Sequence, residues 1–297
     1  LFQDDSGSGV VAARVAQQFV DNPAVLAVVG HVSSGAMLAA ARVYDGNLTA
    51  IATTATTPAL TGISPWTFRV TSSDSANGVQ LANAVAALGL KRAAILYEND
   101  GYGRGLAASF RSAFRGQVIS DDPIRGDISD AEPFISYFKK TQPDVVLVAG
   151  TERSGLVILR EARRQQFKVQ FVGGDGWTLV VDDTLASEGA LVGAPFTAED
   201  PRPEARKFAE AFRARFKVEP DGNAALGYDA TITLARAIGA AGADRDAIRR
   251  WLHALDERTA VPGASGPIRF RADGDPVGKG MLLTRAHNGR LIVEKTR

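Results

Sequence analysis

Cysteine is absent from the 297 residues, which excludes disulfides, thiolate metal sites and a cysteine nucleophile. Histidine is scarce. His31, His253 and His287 lie far apart, and none sits in a catalytic or metal-ligand motif. No apolar run approaches the ~20 residues that span a bilayer. An excess of one charge is also lacking: 34 basic and 33 acidic residues are interspersed for a net charge of +1. Without a basic stripe interleaved with aromatics, nucleic acid and an anionic membrane surface are not the expected partners. No HExxH, GxSxG or P-loop pattern occurs. Tyr102-Gly103-Arg104-Gly105 follows an apolar run and opens a helix, but it lacks the GxGxxG spacing of a dinucleotide loop. Neither a cofactor nor a metal is expected. The chain starts at Leu1 with no signal peptide, which reads as a processed or trimmed start.

What is present is an ordinary globular balance, 45% hydrophobic and 23% charged, in a length that accommodates two lobes. The organising stretch is Val25–Thr61. VLAVVG (Val25–Gly30) is a short β-branched run that suits a strand buried on both faces. It leads through His31-Val32-Ser33-Ser34-Gly35 into a small-residue helix, Ala36–Tyr44. A second run, Leu48–Ala52, enters Thr53-Thr54-Ala55-Thr56-Thr57-Pro58. The same alternation recurs along the chain. Strands are expected at Trp66–Val70, Arg92–Tyr97, Gln117–Ser120, Asp144–Ala149, Gln170–Gly173 and Ala190–Gly193. Helices are expected at Val10–Val20, Ser75–Leu88, Glu132–Lys140, Ser154–Gln166, Pro203–Phe216, Asn223–Ala241 and Asp246–Ala254. Leu1–Asp5 reads as the end of a strand. The tail, Ile268–Arg271, Met281–Ala286 and Leu291–Glu294 around Asp-Gly-Asp and His-Asn-Gly turns, reads as antiparallel hairpins. Repeated βα alternation predicts an α/β fold of two doubly wound parallel sheets.

In such sheets ligands sit beyond the carboxyl ends of the strands. Two successive strands here end in hydroxyl clusters, placing Ser34 and Thr56 to grip something small and anionic, such as a carboxylate. The same residues also suit helix capping, and the pattern alone leaves both readings standing. Asp74 reads as a cap and Asp100 as a turn residue. Asp175, within Gly173-Gly174-Asp175-Gly176-Trp177, is either a turn or a site, since glycines let backbone approach a ligand closely.

Taken together, GHVSSG (Gly30–Gly35), ATTPALT (Ala55–Thr61), FRVTSSD (Phe68–Asp74), YGRGLA (Tyr102–Ala107), ILREARRQQF (Ile158–Phe167) and EGALV (Glu188–Val192) resemble, in order and spacing, the Leu/Ile/Val-type periplasmic substrate-binding proteins of ABC transporters. The resemblance spans essentially the whole chain. It implies the type I periplasmic binding fold: two Rossmann-like lobes, residues 1–73 with 200–279 and 74–199 with 280–297, joined by three crossovers and closing on a ligand. By position it implies that Ser33, Ser34, Thr54 and Thr56 hold a carboxylate and that Asp175 pairs with an α-ammonium. Tyr102 would line the pocket and Asp74 would mark the crossover. Thr151 stands where an aromatic is frequent, and Trp177 would fill space or stack on a ring.

The implied activity is non-enzymatic: an extracytoplasmic receptor for a small amino acid or related carboxylate, delivering it to a membrane permease. The alternative is a ligand-sensing ectodomain or regulator of the same fold, binding an amide, urea or aromatic acid. A periplasmic monomer is expected, with a dimer and a lipid anchor as variants. The family's opening βα segment, roughly 40 residues, is expected before Leu1 and has no counterpart in this sequence.

Overall fold

The computed structural model describes residues 1–294. The chain divides into two compact units: unit 1 comprises Leu1–Ser73 and Asp200–Gly280, and unit 2 comprises Asp74–Glu199 and the chain from Met281 on.

Unit 1 begins with α1 (Gly9–Asp21), β1 (Ala27–Val29), α2 (Ser34–Tyr44), β2 (Thr49–Ala52) and β3 (Thr67–Arg69). Unit 2 follows as α3 (Asp74–Ala87), β4 (Arg92–Glu98), α4 (Gly101–Ala113), β5 (Gln117–Ile124), α5 (Glu132–Thr141), β6 (Val145–Ala149), α6 (Glu152–Arg164), β7 (Gln170–Gly173), α7 (Thr184–Ser187) and β8 (Leu191–Ala194). The chain then returns to unit 1 for α8 (Pro203–Phe216), α9 (Gly222–Ala241), α10 (Arg245–His253), β9 (Val261–Gly263) and β10 (Gly266–Ile268). It ends in unit 2 with β11 (Leu282–His287) and β12 (Arg290–Val293).

In unit 1 the order β1-β2-β3 is wholly parallel. Alternation along β2 sends Ala50 and Ala52 to one face, with α1 and α2, and Ile51 to the other, with Phe68, Val70 and the apolar faces of α9 and α10. Unit 2 is a seven-stranded sheet of order β12-β11-β8-β7-β6-β4-β5. Its β4 to β8 pair in parallel, while β11 joins β8, and β12 joins β11, antiparallel. Ala94, Leu96, Val146 and Val148 face one core, and Ala93, Ile95, Val145, Leu147 and Ala149 the other. Both faces are covered, which is why these strands read as unbroken apolar runs.

Several expectations need correction. Leu1–Asp5 forms no strand; Leu1 and Phe2 are 90% and 93% exposed. The Asp4 and Asp5 carboxylates instead accept from the Ser6 and Gly7 amides in a local turn. The Val25–Gly30 run yields only three strand residues, of which Val28 alone is buried, because β1 has a neighbour on one side only. Strand β5 runs on to Ile124 through Pro123, tolerated because β5 is the sheet edge. The hairpin expected at Ile268–Arg271 is displaced. Strand β10 pairs with the unexpected, proline-containing β9, and only a single Phe270–Pro276 bridge spans the Asp273-Gly274-Asp275 turn.

Candidate functional site

In unit 1 the hydroxyl residues gather beyond the carboxyl ends of β1 and β2. Ser33 caps α2, accepting from the Ala36 amide at 3.3 Å. Ser34 is buried, and its Oγ accepts from the Thr57 amide (3.3 Å), leaving its own proton to donate. Thr54 Oγ1 donates to the Val32 carbonyl (2.9 Å). These two bonds tie the two loops together. Thr56 is wholly enclosed, and its Oγ1 has no hydrogen-bond partner among the described residues. A buried unpaired hydroxyl is costly and is the feature that capping does not account for.

Behind this end lies a group that reading the sequence missed. Arg69, at the end of β3 and 2% exposed, donates through Nη1 to the carbonyls of Thr56 (3.0 Å) and Thr57 (2.9 Å) and through Nη2 to Thr61 Oγ1 (2.7 Å). Its Nε meets Asp275 Oδ1 at 2.5 Å, while Asp275 Oδ2 accepts from Thr61 Oγ1 and Arg271. A planar fork of donors is what turns two successive carbonyls inward. The signal was an arginine inside the otherwise apolar FRV of FRVTSSD. His31 is likewise structural. Its Nδ1 meets Asp5 Oδ2 at 2.5 Å and its Nε2 meets Tyr44 Oη at 3.0 Å, anchoring the start of the Ser33-Ser34 loop.

In unit 2 the acids lie at the corresponding sheet end. Asp100 caps α4, accepting from the Gly103 amide (2.8 Å), which sends Tyr102 out of the first turn. Tyr102 Oη accepts from the Gly176 amide (3.0 Å), which sets the phenol beside the Asp175 carboxylate. The close approach needs glycine: a Cβ on Gly174 would lie 2.7 Å from Tyr102 Oη, and one on Gly176 would lie 3.1 Å from it. Asp175 opens a single 3-10 turn after β7, and its Oδ1 is shielded from water with no partner among the described residues. Burial pushes its carboxyl up to about 6, against the pull of the Tyr102 phenol beside it. The Tyr102 phenol is pushed well above its ordinary range by burial, and further by Asp175 and Asp74. Asp74, the first residue of α3, is wholly buried and accepts from Asn77 (3.3 Å).

One expected contact is differently employed. Thr151 gives both its amide (2.9 Å) and its hydroxyl (2.8 Å) to Glu98 Oε1, which also takes Ser154 Oγ at 2.7 Å. Glu98 is the acid that ends the buried strand β4, and it fastens the β6–α6 loop. Of the two expectations for Trp177, filling space or stacking on a ring, its surroundings match the first. It is 0% exposed, and its ring fills the space that Cβ atoms on Gly155 and Gly173 would take. Among the described residues no group of His, Asp and Glu could hold a metal, and no helix is long and apolar enough to cross a membrane.

Unit 1 thus offers hydroxyl donors suited to an anion, and unit 2 a buried acid suited to a cation. Against this geometry, residues 1–290 match the family model described as periplasmic binding protein. An amino acid binding protein of Pseudomonas aeruginosa is 30% identical over 87% of this chain and 72% of its own length. An ABC transporter substrate-binding protein from Desulfitobacterium hafniense, solved in complex with Leu, is 30% identical at a TM-score of 0.86, covering 99% of this chain and 88% of that one. The leucine binding protein LivK of Thermotoga maritima is 29% identical at a TM-score of 0.91, covering 98% and 85%.

Proposed function

We propose the function from the premise that the chain belongs to the periplasmic binding protein family. It is an extracytoplasmic receptor that binds a small α-amino acid and hands it, unchanged, to an ABC permease. The ligand class follows from what each unit offers by itself: a zwitterion carries a carboxylate for the one set of groups and an ammonium for the other. Ser34 and Thr56, with Ser33 and Thr54 flanking them, take its carboxylate. Asp175, oriented by Tyr102 and supported by Asp74, takes its ammonium. Thr151 acts from behind, through Glu98.

The observation that carries this reading is a pair of buried, unpaired polar atoms of opposite need, Thr56 Oγ1 and Asp175 Oδ1. Each lacks a partner that a zwitterion supplies, and a charge-assisted hydrogen bond to each is worth more than a neutral one. Two relatives that carry leucine in their descriptions make the branched aliphatic amino acids the first ligands to try.

The test is a thermal-shift screen with leucine, isoleucine, valine, smaller and aromatic amino acids, and aromatic acids. Ligand at 100 times its Kd adds about 2.7 kcal/mol of stability. A rise with one or more α-amino acids, with the ligand recovered intact, is the expected result. A rise only with acids that lack the amine refutes the role of Asp175 and selects the aromatic-acid alternative.

A further inference from the structure

The chain passes from unit 2 into unit 1 between Glu199 and Asp200, and out again between Gly280 and Met281. Within three residues of these crossings stand Arg202 and Lys279, and both reach the same short turn joining β9 to β10, Gly263–Gly266. Arg202 is paired with Asp200 through Nε (2.9 and 3.0 Å) and approaches the Ala264 carbonyl through Nη2 (3.4 Å). Lys279, whose side chain is 7% exposed, donates to Ser265 Oγ (2.6 Å) and the Gly266 carbonyl (3.1 Å) and lies 3.7 Å from Asp229 Oδ2. Asp229, on α9 and wholly buried, grips the turn from below through the Ala264 amide (2.6 Å), the Ser265 amide (3.0 Å) and the Ser265 hydroxyl (2.5 Å). That hydroxyl donates to Asp229 and accepts from Lys279, so the lysine is bound into the turn and not merely near it.

We propose that the Gly263–Gly266 turn couples the second and third connectors, with Lys279 setting how firmly the pair is held. Two cations face the turn, and among the described residues Asp229 is the acid that bonds it, while Asp200 is engaged by Arg202. The ionisable groups facing Lys279 among the described residues are Asp229 from α9 and Arg202 from the approach to α8. The turn residues themselves carry none. Burial, and secondarily Arg202, lower the Lys279 ammonium to about 8, against the attraction of Asp229.

The sign follows by linkage. A lysine freed from the turn keeps its proton up to the ordinary lysine range, about 10.4, whereas the bound lysine loses it earlier. Detachment is therefore favoured at neutral pH and disfavoured as pH rises from 8 towards 10. At neutral pH the buried ammonium keeps both connectors easy to release. Its deprotonation relieves first the cost of burying the ammonium and then the smaller repulsion with Arg202, which together outweigh the lost attraction of Asp229, and so tightens both.

The experiment is amide hydrogen exchange on the ligand-free protein at pH 7 and pH 9, corrected for intrinsic exchange, on peptides covering residues 196–204 and 274–284. The expected result is a fall of about tenfold in the opening constant of the 274–284 segment, with a fall in the 196–204 segment alongside it. In Lys279→Arg, which stays charged, both segments should be flat with pH. Lys279→Gln, which stays neutral, should likewise be flat and serves if the arginine variant does not fold. No pH response in the parent, a response confined to 274–284, or the same response in the variants would overturn the proposal. Because no ligand is present, this result is independent of the ligand assignment above.

Discussion

Asp275→Ala should be among the most damaging single changes available in unit 1. Asp275 is 4% exposed, and its two oxygens accept from Arg69 Nε, Thr61 Oγ1 and Arg271. Its loss takes from the Arg69 guanidinium, 2% exposed, the buried acid it is paired with. Removing one member of a buried ion pair costs about 3–5 kcal/mol, a large share of the 5–15 kcal/mol that holds a typical domain together. Arg69→Met costs less on the charge side, because Asp275 keeps Arg271 and Thr61. It strands the Thr56 and Thr57 carbonyls instead, at about 1–3 kcal/mol for each that remains buried. The two residues share one network, so the double variant should cost less than the sum by at least about 1.5 kcal/mol. Urea denaturation followed by far-ultraviolet circular dichroism measures all three, and Asp275→Ala should lower the midpoint by roughly 2 M. A loss under about 1 kcal/mol, or strict additivity in the double variant, would refute the claim that this network holds the Thr56–Thr57 loop.

Thr56→Val deletes a hydroxyl that has no partner among the described residues. Stability should stay within about 1 kcal/mol of the parent, while amino-acid affinity, read by calorimetry, falls at least about tenfold. The Asp175 carboxyl, raised to about 6, must be ionised to hold an ammonium. Affinity for an α-amino acid should therefore drop about tenfold between pH 7 and pH 5. For the ligand-free protein the same group acts oppositely: a raised carboxyl makes the folded state the better proton binder between about 4 and 6, so its contribution to stability falls as pH rises through that window. Trp177→Ala should cost about 3–5 kcal/mol as a cavity substitution. At a temperature where the variant remains folded, its ligand affinity should change little.

Much of the fold was legible because parallel strands covered on both faces leave continuous apolar runs, as in Arg92–Tyr97 and Asp144–Ala149. The misses have local causes. Strand β9 is three residues long and contains Pro262, so neither length nor propensity marks it. Leu1–Asp5 has strand-like residues but pairs with no strand among the described residues, and pairing, not propensity, makes a strand. At the candidate site, the hydroxyl clusters and Asp175 stood out through their place at strand ends. Arg69 and Glu98 did not, because what defines them is burial and partners that are distant in sequence: Asp275 lies 206 residues from Arg69, and Ser154 lies 56 residues from Glu98. Trp177 was visible only as a neighbour of Asp175. That Gly155 and Gly173 make room for its ring is a fact of packing across three elements.

The most direct test is calorimetric titration of the parent and of Asp175→Asn, at pH 7.5, with the best-binding amino acid and with the same molecule lacking its amine. Asparagine keeps the shape and removes the charge. The variant should lose at least about 2 kcal/mol of affinity for the amino acid, roughly thirtyfold, and nothing for the deaminated acid. Equal affinity of parent and variant for the amino acid would contradict Asp175 as the ammonium's partner.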